Sequence, residues 1–350
     1  MRNLVLTLAL LAGFSVGFAV ESGGEGSTQM YAVGFYNVEN LFDTCHDAGK
    51  KDLEFTPKGQ NQWTAERYAS KLHNLSRVLS EMGTDVVPEG CAVIGLAEVE
   101  NAKVLDDLVA EPLMRERGFK YCHIEGVDER GIDCALLYNP RLFEVRNVKL
   151  VPFHCVDSVF LTRGSFIVSG TMAGEHVSVI VNHLPSRFNR SKYREQGGAQ
   201  IRQVKDSLLR DDPQVKVFVM GDMNDDPQDA SMAEALGAKR YVVDVTAEDM
   251  YNPFWQVLKG DGLGTLSYRR SWNLFDQIIL SPSLLRKDIA DDMSTLHYMF
   301  CQIFTRRYLF RTGDDHFAGA PLRTFGGRRW LNGYSDHLPT VVYLMKENLK

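Results

Sequence analysis

The chain has 350 residues and a formal net charge of −6 at neutral pH, with 44% hydrophobic and 24% charged residues. That balance excludes global disorder and supplies enough apolar residues for a sizeable core. A mildly acidic chain does not attract polyanions over its whole surface, so any nucleic-acid contact has to rest on a local basic stripe and a bound cation. The length would hold two average domains, but no stretch inside it reads as a linker, and residues 30–350 are predicted as one domain.

At the amino terminus, Met1-Arg2-Asn3 precedes an apolar run from Leu4 to Val20, with Gly17 and Ala19 flanking Phe18. A charged start, an apolar centre and a small-x-small site predict a secretory signal peptide over 1–19, and with it export to the periplasm or beyond. A retained membrane anchor is the alternative, for which the run is short. Cleavage after Ala19 would remove Arg2 and no acidic residue, moving the net charge from −6 to −7. Residues 20–29 are Gly/Ser-rich and are predicted to be flexible. The six cysteines include no C-x-x-C pair, which argues against a thiolate zinc site. Export would permit one or two disulfides, but Cys91 and Cys134 fall in strand-like runs where free buried thiols are common.

The first ordered run, Met30 to Tyr36, is an apolar strand that feeds Asn37-Val38-Glu39-Asn40. Thr64 is placed to cap a helix whose apolar positions Tyr68, Leu72, Leu75 and Leu79 follow the helical period. Cys91 to Ala97 reads as a buried strand with Glu98 at its carboxyl end, and Asn101 starts a helix predicted to run to about Arg117. Ile132 to Tyr138 is a further strand behind Arg130-Gly131. Others are expected near Glu144 to Phe153, Phe166 to Met172 and Val177 to Val181, the last delivering Asn182-His183. Arg187-Phe188-Asn189-Arg190-Ser191-Lys192-Tyr193-Arg194 follows, a basic-aromatic run that suits either phosphate binding or the solvated face of a helix.

Val215 to Met220 is a short apolar strand, and Asp222 and Asn224 leave its carboxyl end on the same side before Pro227 stops pairing. A carboxylate and a carboxamide held that way can position a water and a phosphate oxygen together, although Asp and Asn also favour ordinary turns. Asn273 to Ser281 is strand-like with Asp276 alone in its middle. A carboxylate there must be paired, and an imidazole would serve. Met299 to Tyr334 interleaves Arg306, Arg307, Arg311, Arg323, Arg328 and Arg329 with Tyr308, Phe310, Phe317, Phe325 and Trp330. Arginine forks match phosphate and aromatic faces accept bases, so this is the best nucleic-acid-like segment; the bland alternative is a Gly-rich loop over its own aromatics. Ser335-Asp336-His337-Leu338-Pro339 then precedes a closing strand, Thr340 to Leu344.

Taken in order, Asn37-Val38-Glu39-Asn40, Glu98-Val99-Glu100-Asn101, Asn182-His183, Gly221-Asp222-Met223-Asn224, Asp276-Gln277 and Ser335-Asp336-His337-Leu338-Pro339 resemble the motifs of the endonuclease/exonuclease/phosphatase superfamily. The resemblance runs from about Tyr31 to Leu344. It implies a four-layer α/β sandwich: two mixed β-sheets packed face to face, helices outside, and a site where loops converge at one end. It also implies roles. Glu98 is the principal metal ligand, with Asn37 and Asp336 on the metal side and Glu39 a weaker candidate. Asp222, assisted by Asn224, orients or deprotonates the attacking water. His337, oriented by Asp276, meets the scissile phosphate, and His183 contacts phosphate or protonates the leaving group. Arg130 and Asp133 recur in the family pattern Arg-Gly-Ile-Asp, Arg130 as a phosphate contact or a structural ion pair. Arg187, Arg190 and Arg323 are candidate substrate contacts.

The expected activity is therefore that of an exported, divalent-metal-dependent phosphodiester hydrolase acting on DNA or RNA. Hydrolysis of lipid or small-molecule phosphoesters is the alternative, and a non-catalytic binding protein on the same scaffold a third reading. Mg2+ is the expected ion, with Mn2+ or Ca2+ as substitutes. No obligate protein partner is inferred.

Overall fold

The structure, a computed structural model, describes residues 27–155, 162–260, 262–286, 293–313 and 317–348. The signal peptide predicted over 1–19 lies outside the described residues. Of the segment predicted to be flexible, Ser27, Thr28 and Gln29 form the start of the first strand and pair with Asn348, Glu347 and Lys346.

In chain order the first strands are β1 (Ser27–Leu41), β2 (Cys91–Val99), β3 (Lys120–His123), β4 (Asp133–Tyr138), β5 (Phe143–Val151) and β6 (Ser165–Met172). Then come β7 (Glu175–His183), β8 (Lys216–Asp222), β9 (Ala238–Lys239), β10 (Met250–Tyr251), β11 (Leu266–Tyr268) and β12 (Ser271–Asn273). The last are β13 (Asp276–Leu280), β14 (His297–Ile303), β15 (Phe325–Gly326), β16 (Arg329–Trp330) and β17 (Thr340–Asn348). One sheet has the order β14-β17-β1-β2-β4-β3 and the other β5-β6-β7-β8-β13-β10-β9.

Side-chain alternation along β8 shows why these runs become buried strands. Phe218 and Met220 join the core shared by the two sheets, whereas Val217 and Val219 face a second cluster with Ile201, Met232 and Leu236. Ile201 lies on the helix Ser191–Asp211, so β8 is apolar on both faces. The inner faces approach closely at Gly95, where a Cβ would stand 2.5 Å from Met220 Sδ. A side chain at position 95 would force Met220 to shift.

The helices are α1 (Ala65–Glu81), α2 (Ala102–Ala110), α3 (Pro112–Arg117), α4 (Ser191–Asp211) and α5 (Phe254–Gly260). Thr64 caps α1 by accepting from Arg67 N, and Leu72, Leu75 and Leu79 are buried as the period requires. The helix predicted from Asn101 to Arg117 is in fact two. Asn101 caps α2 through Val104 N at 3.1 Å, but Pro112 has no N–H to continue the ladder, so α2 stops at Ala110 and α3 starts afresh. Asp276 also differs from expectation: it is the first residue of β13, not its middle, and stands opposite Asp222, the last residue of β8.

Strand direction then decides where the polar residues gather. β1 runs parallel to β2 and antiparallel to β17; β7 runs parallel to β8, which is antiparallel to β13. The carboxyl ends of β1, β2, β7 and β8 and the amino ends of β13 and β17 therefore share one end of the sandwich.

Candidate active site

The two sheets are joined at that end by a side-chain hydrogen bond: Asn37 Nδ2 of β1 donates to Asp222 Oδ2 of β8 at 2.9 Å. Behind it, Ser335 Oγ donates to the Asn37 carbonyl at 2.7 Å and accepts from His337 N at 3.1 Å, fixing the chain before β17 against β1. Both β1 and β2 are irregular here. Their pairing shifts register between Asn37 and Leu41, and Glu39, Asn40 and Glu98 all take positive φ (50°, 54° and 67°). Left-handed backbone at a bulge is costly for such residues and re-aims the side chain out of the pleat. Glu98 is the beneficiary: its Oε2 accepts from Asn40 N at 2.9 Å, while Oε1 lies 3.9 Å from His183 Nε2.

Asp222 sits at the centre. Its Oδ1 accepts from Asn224 N at 3.0 Å, and its Oδ2 lies 3.5 Å from His183 Nε2 and 3.8 Å from His337 Nε2. Asn224, itself at φ 51°, is locked in place by donating Nδ2 to the Leu184 carbonyl at 3.0 Å. Burial pushes the Asp222 carboxyl up to about 7, against the opposing pull of His337 and with the reinforcing charge of Asp276. The two imidazoles are driven apart. Burial holds His183 well below the usual histidine range, helped by Arg163, Arg130 and His337. Burial also opposes charge on His337, yet Asp276, with Asp222 and Asp336, lifts it well above that range. The geometry of that lift is a 2.7 Å contact between His337 Nδ1 and Asp276 Oδ2, the latter residue fully buried. The site thus contains one neutral and one cationic histidine on either side of a carboxyl poised near neutrality.

A third layer surrounds Asp336. Arg323 binds Asp336 Oδ2 at 2.9 Å and Glu39 Oε1 at 3.0 Å. Burial opposes charge on Asp336, but Arg323 and His337 hold its carboxyl below the ordinary carboxylate value. Lys71, fully buried, donates to Thr324 Oγ1 at 2.7 Å and to the Tyr334 carbonyl at 2.6 Å. Burial draws it down to about 8 against the charges of Glu39 and Asp336.

The donor set fits a hard divalent cation. Among the described residues Glu98 Oε1 makes no hydrogen bond, and the Asn37 and Asp336 oxygens are of the carboxamide and carboxylate type such ions prefer. Asp222, Asp276 and His337 also bring ligand-type atoms within 4.8 Å of one another. Within that group His337 Nδ1 and Asp276 Oδ2 are already engaged with each other at 2.7 Å.

Three of the four predicted substrate contacts are already engaged with the protein's own side chains. Arg187 donates to Asp226 at 3.0 Å, Asp229 at 2.7 Å and the Asn224 carbonyl at 3.2 Å, with its guanidinium 4.5 Å from the Phe275 ring centre. It braces the turn after Asp222, while its side chain stays 41% exposed. Arg187→Ala is expected to lower stability by about 1–3 kcal/mol, from lost charge-assisted hydrogen bonds, and to leave KM for a small phosphodiester within about twofold. Urea denaturation beside steady-state kinetics checks both halves. Arg323 is tied to Glu39 and Asp336, so it shapes the site from its edge. Arg130 donates to the Asn40 side chain, next to the Glu98 contact. Arg190 is exposed at the start of α4.

Part of the basic-aromatic segment from Met299 to Tyr334 is taken up by the fold, while Arg307, Arg328 and Arg329 stay exposed. Arg306 pairs with Glu81 and Asp85, and Tyr308 packs on Tyr334 with its hydroxyl on Glu81. Phe325 and Trp330 close over the buried Trp63. Sequence reasoning missed Lys71 and Asn40. Lys71 gave no signal, lying beside Leu72 on an amphipathic helix, whereas Asn40 stood inside a quoted motif.

None of the curated protein sequences is significantly similar to the chain. Among solved structures, an endonuclease/exonuclease/phosphatase family protein from Bacteroides thetaiotaomicron is 14% identical with a TM-score of 0.56, over 92% of this chain and 96% of that one. D. rerio TDP2 complexed with a single-strand DNA product is 15% identical (TM-score 0.54; 90% and 98% covered). The B. thetaiotaomicron mannosyl-6-phosphatase is 14% identical (TM-score 0.54; 90% and 99% covered). At such identities the likeness establishes the fold, two large mixed sheets in an α/β sandwich. A family model matches residues 32–346, so the chain belongs to the endonuclease/exonuclease/phosphatase family, whose members are metal-dependent phosphoester hydrolases.

Proposed function

We propose that the protein is an exported nuclease that hydrolyses phosphodiester bonds of DNA or RNA with the help of magnesium. The amino-terminal apolar run supports export. A cation held by Glu98, with Asn37 and Asp336, would neutralise charge on the phosphoryl oxygens. The chain's own residues account for the remaining steps. Asp222, with its carboxyl near neutrality, takes a proton from the attacking water. Asn37 and Asn224 hold its two oxygens and so fix the direction of its free lone pairs. Cationic His337, held by Asp276, stabilises a non-bridging oxygen, and neutral His183 donates one hydrogen bond through Nε2. That neutrality favours the phosphate-contacting role for His183 over protonation of a leaving group.

The observation that carries the polymer substrate is Phe188. It is 100% exposed on the loop leaving His183 and is followed by exposed Arg190. A fully exposed aromatic beside a cation at the rim of a phosphodiesterase site is a stacking platform for a base. A second reading rests on a different feature. A cavity of about 340 Å³ lies against the site, lined by Glu39, Asn40, Asn61, Arg323 and Thr324 among others. Its size and polar lining suit a small polyol phosphate.

Cleavage of supercoiled plasmid by the purified chain, with magnesium and with chelator, separates the two. Metal-dependent nicking is expected, and Phe188→Ala combined with Arg190→Ala should slow it about tenfold or more without changing hydrolysis of a small synthetic phosphodiester. Intact plasmid together with turnover of the small ester would move the reading to small-molecule phosphoesters. No turnover of either would favour a binding protein.

A further inference from the structure

A second group of carboxylates lies just beyond the carboxyl ends of β1 and β2, outside the site described above. The segment following β1 carries Asp43, Asp47 and Asp52, and Glu100 immediately follows β2. One oxygen each from Asp47, Asp52 and Glu100 falls within 4.8 Å of the others. Asp52 is 1% exposed and Glu100 3%. Glu100 Oε2 accepts from Asp43 N at 2.6 Å, whereas its Oε1, also buried, has no hydrogen-bond partner.

The protein supplies little to balance this charge. Among the described residues, no lysine or arginine comes within ion-pair distance of Asp43, Asp47, Asp52 or Glu100. The nearby Lys103 is committed to Asp107 at 2.6 Å. Only His46 approaches, through a short contact between its Nδ1 and Asp52 Oδ1. Buried carboxylates are normally paired with a cation or fully hydrogen-bonded, and here a buried carboxylate oxygen is neither. The available donors are all oxygen, and half-buried Asp47 leaves the cluster open to solvent.

We propose that Asp47, Asp52 and Glu100 form a second divalent-cation site, of the hard calcium-accepting class, separate from the Glu98 site. Calcium suits it better than magnesium, because calcium tolerates irregular oxygen coordination completed by water. Its place in the fold gives it a purpose. The cation ties the segment after β1 to the end of β2, two residues beyond Glu98. That segment continues into Phe55 and Asn61, which line the cavity beside Glu39 and Arg323. Binding therefore stiffens one wall of the site without contributing a ligand to the chemistry.

The test is calorimetric titration of calcium chloride into the metal-stripped full chain carrying Glu98→Gln, which disables the first site. One calcium ion per chain is expected, and adding Glu100→Gln or Asp47→Asn should weaken binding roughly tenfold or more. Near-ultraviolet circular dichroism checks that each variant is folded. If Glu100→Gln fails to fold, Asp47→Asn carries the test, since its side chain is only half-buried on a loop. The inference is overturned if Glu98→Gln takes up no calcium, or if the folded second-site variants bind it as tightly. Neither result touches the nuclease reading, which plasmid cleavage decides.

Discussion

Asp222→Ala is expected to reduce kcat by about 10³–10⁴-fold, some 4–5 kcal/mol of transition-state stabilisation, while leaving the fold intact. The size follows from its position. Asp222 is 2% exposed, is held on both oxygens by Asn37 and Asn224, and lies between His183 and His337. Among the described residues it is the one carboxylate within ion-pair distance of both imidazoles. The fold survives because β8 stays paired with β7 on one side and β13 on the other. Retained turnover would remove Asp222 from the mechanism.

The same variant has a stability signature. The native carboxyl is raised from its ordinary value to about 7, so the folded protein holds a proton that the unfolded chain gives up near pH 4. The stability associated with that proton is fully present below about pH 4 and is lost as pH rises through about 7. Asp222→Ala lacks this loss. With chelator present, its melting temperature should therefore gain on the native protein between pH 4 and pH 7; parallel curves would mean that native Asp222 is not protonated.

Much of this site was legible in the sequence because its residues stand where apolar runs stop. His183 and Asp222 each end a strand, Glu98 and Asn37 lie toward the carboxyl ends of theirs, and parallel neighbours bring such ends together. Thr64 and Asn101 announced their helices for an equally local reason, as caps. What stayed hidden depends on partners far along the chain. Arg306 reads as a phosphate contact until Glu81, 225 residues earlier, is seen beside it, and Arg323 until Glu39 is, 284 residues earlier. Arginines and aromatics serve nucleic acid and core equally well, so composition could not tell that Trp63 would collect Phe325 and Trp330 beneath the surface. Left-handed backbone at Glu98 was equally invisible, since it arises from a register shift between strands. The break at Pro112, by contrast, could have been read directly.

Asp276→Asn should move the alkaline limb of the pH–rate profile. In the native protein, activity rises as Asp222 loses its proton and falls only when His337 loses its own, which Asp276 postpones well beyond the usual histidine range. Asp276 Oδ1 has no hydrogen-bond partner, so the imidazolium is the principal recipient of its charge. An asparagine keeps the shape but not the charge. Burial then governs His337 and favours its neutral form, so the proton is lost at lower pH. At pH 8 the variant is expected to lose about 10²-fold in kcat/KM, the usual worth of one electrostatic contact to a developing oxyanion. Toward pH 6, where the imidazole recovers its proton, the deficit should shrink. Asp276 acts as a positioning residue through His337, so His337→Ala and the double variant should be equally impaired and show no such narrowing. The stability profile runs in the matching direction. The raised His337 value stabilises the native state fully below about pH 6.5 and loses that contribution only as pH climbs through the raised value, so the Asp276→Asn deficit in stability should be largest on the acid side. An alkaline limb that stays where the native enzyme has it would show that the charge on His337 does not depend on Asp276.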